Sequence, residues 1–199
     1  MTIVILLDQR QSRSREDLVT DWSAGLNQRF GQQLLLPFTR TSGDEMQAVL
    51  GKGCLGAIVR QALTSDEWWI GLGLGEIETP LPPDTREGRG PAFWNARAAI
   101  DEAKTRRGTR PISVVGEDGT AQRLTECLDT LSFVINRRTD AQRAAADAYF
   151  RKGTVQAVAE ELEMSVQGAR KNVLAAGCDE EAALGSLTDW IADTAATAT

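Results

Sequence analysis

Apolar residues recur with two different periods along this chain, and the change of period divides it into two parts. In the first part, short β-branched runs alternate with stretches of helical spacing. The spacing predicts strands at residues 2–8, 34–38, 45–50, 68–77 and 112–115. It predicts helices at residues 15–30, 53–63 and 91–105. Pro91 opens the last of these helices, as proline favours the first helical turn.

The order of these elements is β-α-β-β-α-β-α-β. Residues 41–44 form a turn between the second and third strands, with Gly43 supplying the unusual dihedral angle. A hairpin between two helices is typical of a mixed, largely antiparallel sheet with helices on one face. We therefore expect an α+β fold with a ferredoxin-like layer.

Beyond residues 116–120 no strand signal remains, so we predict a domain boundary there, with an α+β domain at 1–118 and a helical domain at 119–199. Helical spacing continues at residues 124–135, 141–150, 155–162, 166–175 and 180–191. The small, polar tail 192–199 is expected to fray.

The composition is that of a globular protein: 199 residues, 42% hydrophobic and 25% charged. The apolar run Ile3–Leu7 is too short for a signal peptide, and no stretch approaches the roughly 20 residues of a membrane span. A cytoplasmic protein that does not enter the membrane is expected.

Histidine is absent, and the three cysteines are widely scattered. This excludes a zinc site of Cys and His ligands, as well as a Ser-His-Asp or Cys-His nucleophile. Any catalysis must use carboxylates, metal ions, arginine, lysine or backbone groups.

Three carboxylates are candidates for such chemistry. Asp8 ends the first strand, and Asp44 and Glu45 lie at the tip of the hairpin, which neighbours that strand in a ferredoxin-like sheet. Clustered carboxylates are the ligands that Mg²⁺ or Mn²⁺ prefers. The alternative is that Gly-Asp is only a good turn and Asp8 a solvated strand end.

Glycines occupy alternate positions of the fourth strand, at Gly71, Gly73 and Gly75. Their spacing lies within a strand and does not match the dinucleotide-binding motif, which opens a helix. Because alternate residues share a face, something must approach the backbone closely there: a helix, a partner subunit or a ligand.

Residues 154–176 have the pattern of a helix-turn-helix. Thr154 and Ser165 are expected N-caps of its two helices, with Glu163 in the turn where many such motifs have glycine. The outward positions of the second helix carry side chains that contact bases and phosphates, and the predicted DNA-binding residues are Gln167, Arg170, Lys171 and Asn172. The segment is similar to the DNA-binding helices of sigma-factor and LuxR-type regulators. A three-helix interaction module is the alternative.

The charge distribution favours a dimer. The whole chain has a net charge of −6, but residues 137–175 carry seven basic and five acidic side chains, a net charge of +2. Such a small positive charge gives one copy little affinity for phosphates, and helix-turn-helix proteins usually bind DNA as dimers.

The segment 42–46, Ser-Gly-Asp-Glu-Met, following an aspartate that ends the first strand, resembles the catalytic layout of the nucleotidyl cyclase and GGDEF superfamily. The glycine-alternating segment 70–77 and the segment 90–93 are also similar to cyclase segments. The resemblance implies a nucleotide bound by Arg40, Gly43 and Arg97. Where the cyclase helix carries an Asn and an Arg for the transition state, this chain has Trp94 and Ala98, which argues against cyclase activity.

A resemblance to the SatD family of bacterial proteins covers more of the chain. It is carried in order by Asp8 with residues 12–13, by Gly-Asp-Glu-Met-Gln at 43–47, by the glycine strand 71–79 and by Gly-Pro-Ala-Phe at 90–93. Met46 stands where the family pattern has Phe, and Arg89 where it has Asp. The family resemblance implies an architecture and no particular activity.

These observations lead to three interpretations. The first is a homodimeric DNA-binding regulator whose degenerate cyclase-like domain dimerises or senses a ligand. The second is a protein or cyclase-type enzyme that binds a divalent metal and a nucleotide. The third is a scaffold with neither property. The catalytic residues and the DNA target stay undefined.

Overall fold

The structure, a computed structural model, describes residues 1–106, 110–117 and 119–197, and its first part follows the predicted order of strands and helices. The elements are β1 (Thr2–Gln9), α1 (Val19–Phe30), β2 (Leu34–Arg40), β3 (Glu45–Leu50), α2 (Leu55–Ser65), β4 (Trp68–Gly75), α3 (Pro91–Thr105) and β5 (Ile112–Val115). Short 3-10 turns lie at Gly31–Gln33 and Thr85–Glu87. The α+β class and the position of the hairpin are confirmed.

The second part is helical, as predicted. Its elements are α4 (Gly119–Asn136), α5 (Asp140–Lys152), α6 (Val155–Glu161), α7 (Val166–Ala175) and α8 (Cys178–Thr197). The expectation of a frayed tail from residue 192 was wrong as far as Thr197, because α8 continues through it and buries Ile191 and Ala192 in the core. Residues 198 and 199 lie outside the described residues.

The five strands form one mixed sheet in the order β2-β3-β1-β4-β5. β1 is antiparallel to both β3 and β4, whereas β5 runs parallel to β4. Because side chains alternate between the faces of a strand, each strand contributes to two layers. Ile3, Ile5 and Leu7 of β1 join one apolar core, whereas Val4 and Leu6 join another.

Helices pack on both faces of the sheet, so the expectation of helices on one face was wrong. The first core contains residues of α1, α2, α4 and α8, whereas α3 packs on the opposite face. The cause is the glycine strand: a Cβ atom placed on Gly73 would lie 2.1 Å from the Ala92 oxygen and the Ala96 nitrogen of α3. The predicted close neighbour of these glycines is therefore a helix of the same chain.

The apolar core of the sheet continues across the predicted boundary at residue 118, which itself lies outside the described residues. Leu124, Leu128 and Leu131 of α4 are buried against the sheet. A separate core joins α5, α6 and α7, the "three-helix unit", around Ala146, Val158 and other small residues.

Among the described residues, no helix combines the length and the apolar character that crossing a membrane requires.

Candidate functional site

The register of the sheet brings two of the predicted carboxylates together. Asp8 lies directly opposite Glu45 on the neighbouring antiparallel strands β1 and β3, so both side chains are on the face covered by α3. Gly43, with a φ of +53°, makes the turn that starts β3, a conformation that glycine adopts without strain. Asp8 and Glu45 are both buried.

Each of these two carboxylates is paired with a cation of α3. The Lys104 ammonium donates to Asp8 Oδ2 at 2.5 Å, and the Arg97 guanidinium binds both oxygens of Glu45, at 2.5 and 2.8 Å. Arg97 and Lys104 lie two helical turns apart, so they share one face of α3. The buried acids are therefore neutralised within the chain, in the arrangement that desolvated charges require.

Burial raises the pKa of Asp8, because removal from water disfavours the charged form. Lys104 opposes this shift, whereas the negative charges of Asp44 and Glu45 add to it. The Asp44 carboxylate is thus close enough to Asp8 to affect its pKa. The Asp44 carboxylate itself accepts a hydrogen bond from the Ser12 hydroxyl, in the loop that follows β1.

The three groups predicted to bind a nucleotide surround the hairpin, but Arg40 and Arg97 lie on opposite faces of the sheet. Arg40 pairs in the β2–β3 ladder with Met46, which packs in the first core, whereas Arg97 binds the preceding residue on β3 from the other side. The Arg40 guanidinium donates to both oxygens of Asp17 at 2.7 Å and to the carbonyl of Gly43 at 2.6 Å. These bonds to Arg40 lower the pKa of Asp17.

The oxygens of this cluster suit Mg²⁺ or Mn²⁺ by their chemistry. Within the described ranges, however, no three acidic, cysteine or histidine side chains are grouped in a way that could hold a metal ion. Lys104 and Arg97 take the positions that a metal would need at Asp8 and Glu45.

The predicted two-helix motif consists of α6, a short turn and α7. Both expected N-caps are confirmed: the Thr154 hydroxyl accepts the N–H of Ala157, and the Ser165 hydroxyl accepts that of Gly168, at 3.2 and 3.1 Å. Glu163 adopts a left-handed conformation in the turn, with a φ of +50°. The tight turn therefore forms without glycine, at some backbone strain.

The four predicted DNA-binding residues differ in their surroundings. Gln167, Arg170 and Lys171 are exposed and lie on one face of α7, at the spacing of neighbours three and four positions apart. None of these three makes a hydrogen bond or an ion pair with the part of the chain that the structure describes. Asn172 is half-buried, and its amide approaches the Met164 sulfur at 3.9 Å in the turn.

Comparison with protein families matches residues 4–177 of the chain to the model of the SatD family. The chain belongs to the SatD family. The match extends from β1 to the end of α7, so the carboxylate cluster and the three-helix unit both lie within the SatD region. No curated protein and no solved structure matches the chain.

In this SatD sequence, the partners of the carboxylates were not predicted. Lys104 is 96 positions from Asp8, and nothing local connects the two. The sequence nevertheless contained a signal for these partners. Arg97 and Lys104 lie on the same face of a predicted helix that follows the strand of alternating glycines. If the close neighbour of these glycines is that helix, its cations lie next to the ends of the adjacent strands.

Proposed function

We propose that this SatD family member is a DNA-binding regulatory protein that contacts duplex DNA through α7. The observation that carries the proposal is the exposed face of Gln167, Arg170 and Lys171, whose polar groups have no partner among the described residues. Polar side chains without internal partners are available to base edges and phosphates. DNA as a partner is consistent with a protein of the bacterial cytoplasm.

The arrangement of the three-helix unit supports this role of α7. The ten residues of α7 form a helix about 15 Å long, which suits the major groove of DNA. α5 and α6 pack against its inner face through Ala169 and Val173. We therefore propose a helix-turn-helix, with α7 as the recognition helix and the positive end of its dipole at Ser165.

The sheet supports the other half of the proposal, a degenerate cyclase-like domain. Strand order β2-β3-β1-β4 with antiparallel neighbours, and α1 and α2 on one face, is the pattern expected of a ferredoxin-like layer. We assign this domain a role in sensing or in homodimerisation, because a net charge of only +2 over residues 137–175 gives one copy few phosphate contacts.

The direct test is the salt dependence of duplex DNA binding, measured by fluorescence anisotropy with a pool of random duplexes. If Arg170 and Lys171 each contact a phosphate, changing both to Ala lowers the slope of log K against log salt by about 1.8, at about 0.9 per contact. Arg170→Ala with Lys171→Ala is then expected to weaken binding most at low salt.

A double variant with the same charge loss elsewhere is the control. Lys52, between β3 and α2, and Arg123 of α4 are exposed and lie outside the three-helix unit, so their change to Ala is expected to leave the salt slope nearly unaltered. Absence of binding below about 100 μM at low salt, or equal losses in both double variants, would refute the proposal.

A second candidate function rests on the juxtaposition of Asp8 and Glu45. We infer that, if Lys104 and Arg97 swing away, these oxygens with Asp44 can bind Mg²⁺ or Mn²⁺ with the phosphates of a nucleoside triphosphate. Calorimetry with each metal and triphosphate tests this, with Asp44→Ala as the variant and Asp179→Ala, an exposed acid of α8, as the control. Equal heats in all three proteins would remove this candidate.

A further inference from the structure

A cleft of about 500 Å³ lies between the sheet domain and the three-helix unit. Its walls come from three helices, and the residues that matter below are Trp22 and Arg29 of α1, Arg60 and Thr64 of α2, and Phe150 and Arg151 of α5. We call it the junction cleft. Its volume is within the range of sites that bind small molecules.

The junction cleft concentrates positive charge in an acidic chain. Three arginines line it, together with one carboxylate, that of Asp147. Arg29 makes no ion pair within the described ranges; its guanidinium donates to the Gln61 amide oxygen at 3.4 Å and lies 5.1 Å from the centroid of the Phe30 ring. Arg151 is paired with Glu161, outside the lining.

Arg60 is held in place from two sides. Its guanidinium lies over the Phe150 ring, 4.5 Å from the centroid, and approaches Glu181 at 3.3 Å. The fully buried Glu181 also pairs with the buried Arg138. Because two guanidinium groups share one carboxylate, a surplus positive charge is left where Arg60 meets the cleft.

Aromatic rings and an unused hydroxyl complete the lining. Trp22 is half-buried and packs on Trp68, with ring centroids 5.2 Å apart. The Phe150 ring, against which the Arg60 guanidinium lies, also lines the cleft. The Thr64 hydroxyl oxygen is buried and has no hydrogen-bond partner in the described structure.

We infer that the junction cleft binds a small anionic ligand that carries a planar ring, of the class of nucleoside monophosphates. Guanidinium groups fit a phosphate through paired hydrogen bonds. The rings of Trp22 and Phe150 offer apolar surface to a base, which a simple sugar phosphate or a dicarboxylate would leave unused. This inference does not depend on DNA binding, because it concerns different residues.

The test is calorimetry, with tryptophan fluorescence as a second readout, on the full chain. The probes are AMP, GMP, ribose 5-phosphate and inorganic phosphate. At least one nucleotide is expected to bind about tenfold more tightly than ribose 5-phosphate, the effect of about 1.4 kcal/mol of stacking. Equal affinity for AMP, GMP and ribose 5-phosphate would overturn the ligand class.

The decisive variant is Arg29→Gln, because Arg29 has no ion pair whose loss would disturb the fold. Its change is expected to weaken nucleotide binding about tenfold, the loss of one charged hydrogen bond. Arg123→Gln, on the exposed face of α4, removes the same charge elsewhere and is expected to bind as the wild type does. No saturable binding up to about 1 mM, or equal affinity in Arg29→Gln and the wild type, would overturn the inference.

Discussion

The contact between α3 and the glycine face of β4 is the feature most sensitive to a single added methyl group. In Gly73→Ala the new Cβ atom would lie 2.1 Å from both the Ala92 oxygen and the Ala96 nitrogen. Ordinary contacts between such atoms are about 3.5 Å, so α3 must retreat by more than about 1 Å. Both obstructing atoms belong to the backbone, and no change of rotamer relieves the clash.

The cost follows from what α3 buries. Its inner face contributes Ala92, Phe93, Ala96 and Ile100 to the second sheet core. A gap of 0.5–1 Å forfeits about a quarter to a half of each dispersion contact, and overpacking usually costs about 1–3 kcal/mol. We expect Gly73→Ala to lower the free energy of unfolding by about 3 kcal/mol or more, a large fraction of the roughly 5–15 kcal/mol of a typical protein.

Urea denaturation followed by tryptophan fluorescence and circular dichroism measures this free energy. Gly71→Ala and Gly75→Ala form a graded series, because their closest contacts would be 2.6 and 2.9 Å. Gly25→Ala is the control: it lies in α1 with nothing within 4 Å of the new atom, and should stabilise by about 0.5–1 kcal/mol. A loss below about 1 kcal/mol in Gly73→Ala would refute the argument.

Three further predictions concern other parts of the chain. Glu163→Gly should raise the free energy of unfolding by about 1 kcal/mol, because glycine adopts the left-handed conformation without strain. Glu161→Gly, within α6, should lower it by a similar amount, because glycine is a poor helix former. Thermal denaturation compares the two variants. Gly56→Ala should destabilise strongly, because its Cβ would lie 2.3 Å from the Gly185 oxygen, whereas Gly185→Ala, with nothing within 4 Å, should not; equal unfolding midpoints would contradict this. Lys104→Met should destabilise by about 1–2 kcal/mol at neutral pH, because it leaves the buried Asp8 carboxylate without its partner. The loss is modest because Lys104 is half-exposed. Burial disfavours the ionised form of Asp8 and already raises its pKa above the ordinary value of 3.8. The loss of stability in Lys104→Met should therefore shrink as the pH falls through that raised pKa, because a protonated Asp8 needs no cation. A loss of stability independent of pH between about 7 and 4 would contradict the assignment.

The local elements were predictable because each depends on a short window of sequence. Hydrophobic period identified the strands and helices, and the hydroxyls of Thr154 and Ser165 marked two helix starts that the structure confirms. The period also showed which face of β4 needed a close neighbour. It could not show what that neighbour would be, because packing partners are chosen by the whole fold.

The long-range contacts were beyond the sequence argument. The clearest example is α8, which was expected to fray at its end. Instead it supplies carboxylates to the start of α2: Asp189 accepts the N–H of Gly56 at 2.8 Å, and Asp193 accepts that of Gly53 at 3.2 Å. These partners are more than 130 positions apart, and only the folded core brings them together. The same distance in sequence hid Lys104 from Asp8.

The two candidate functional surfaces differ in what an external partner must displace. At the carboxylate cluster, Asp8 and Glu45 are buried and each is already bound to a cation of α3, so a metal ion must first break two ion pairs. Breaking such a pair leaves uncompensated charge and costs about 1–2 kcal/mol at each partly exposed pair before any metal bond forms. On α7, Arg170 and Lys171 are exposed without partners among the described residues, so a phosphate arriving there displaces only water and counterions. This asymmetry is the physical reason for preferring DNA to a metal-bound nucleotide, and it makes the salt slope of the Arg170 and Lys171 double variant the more informative first measurement.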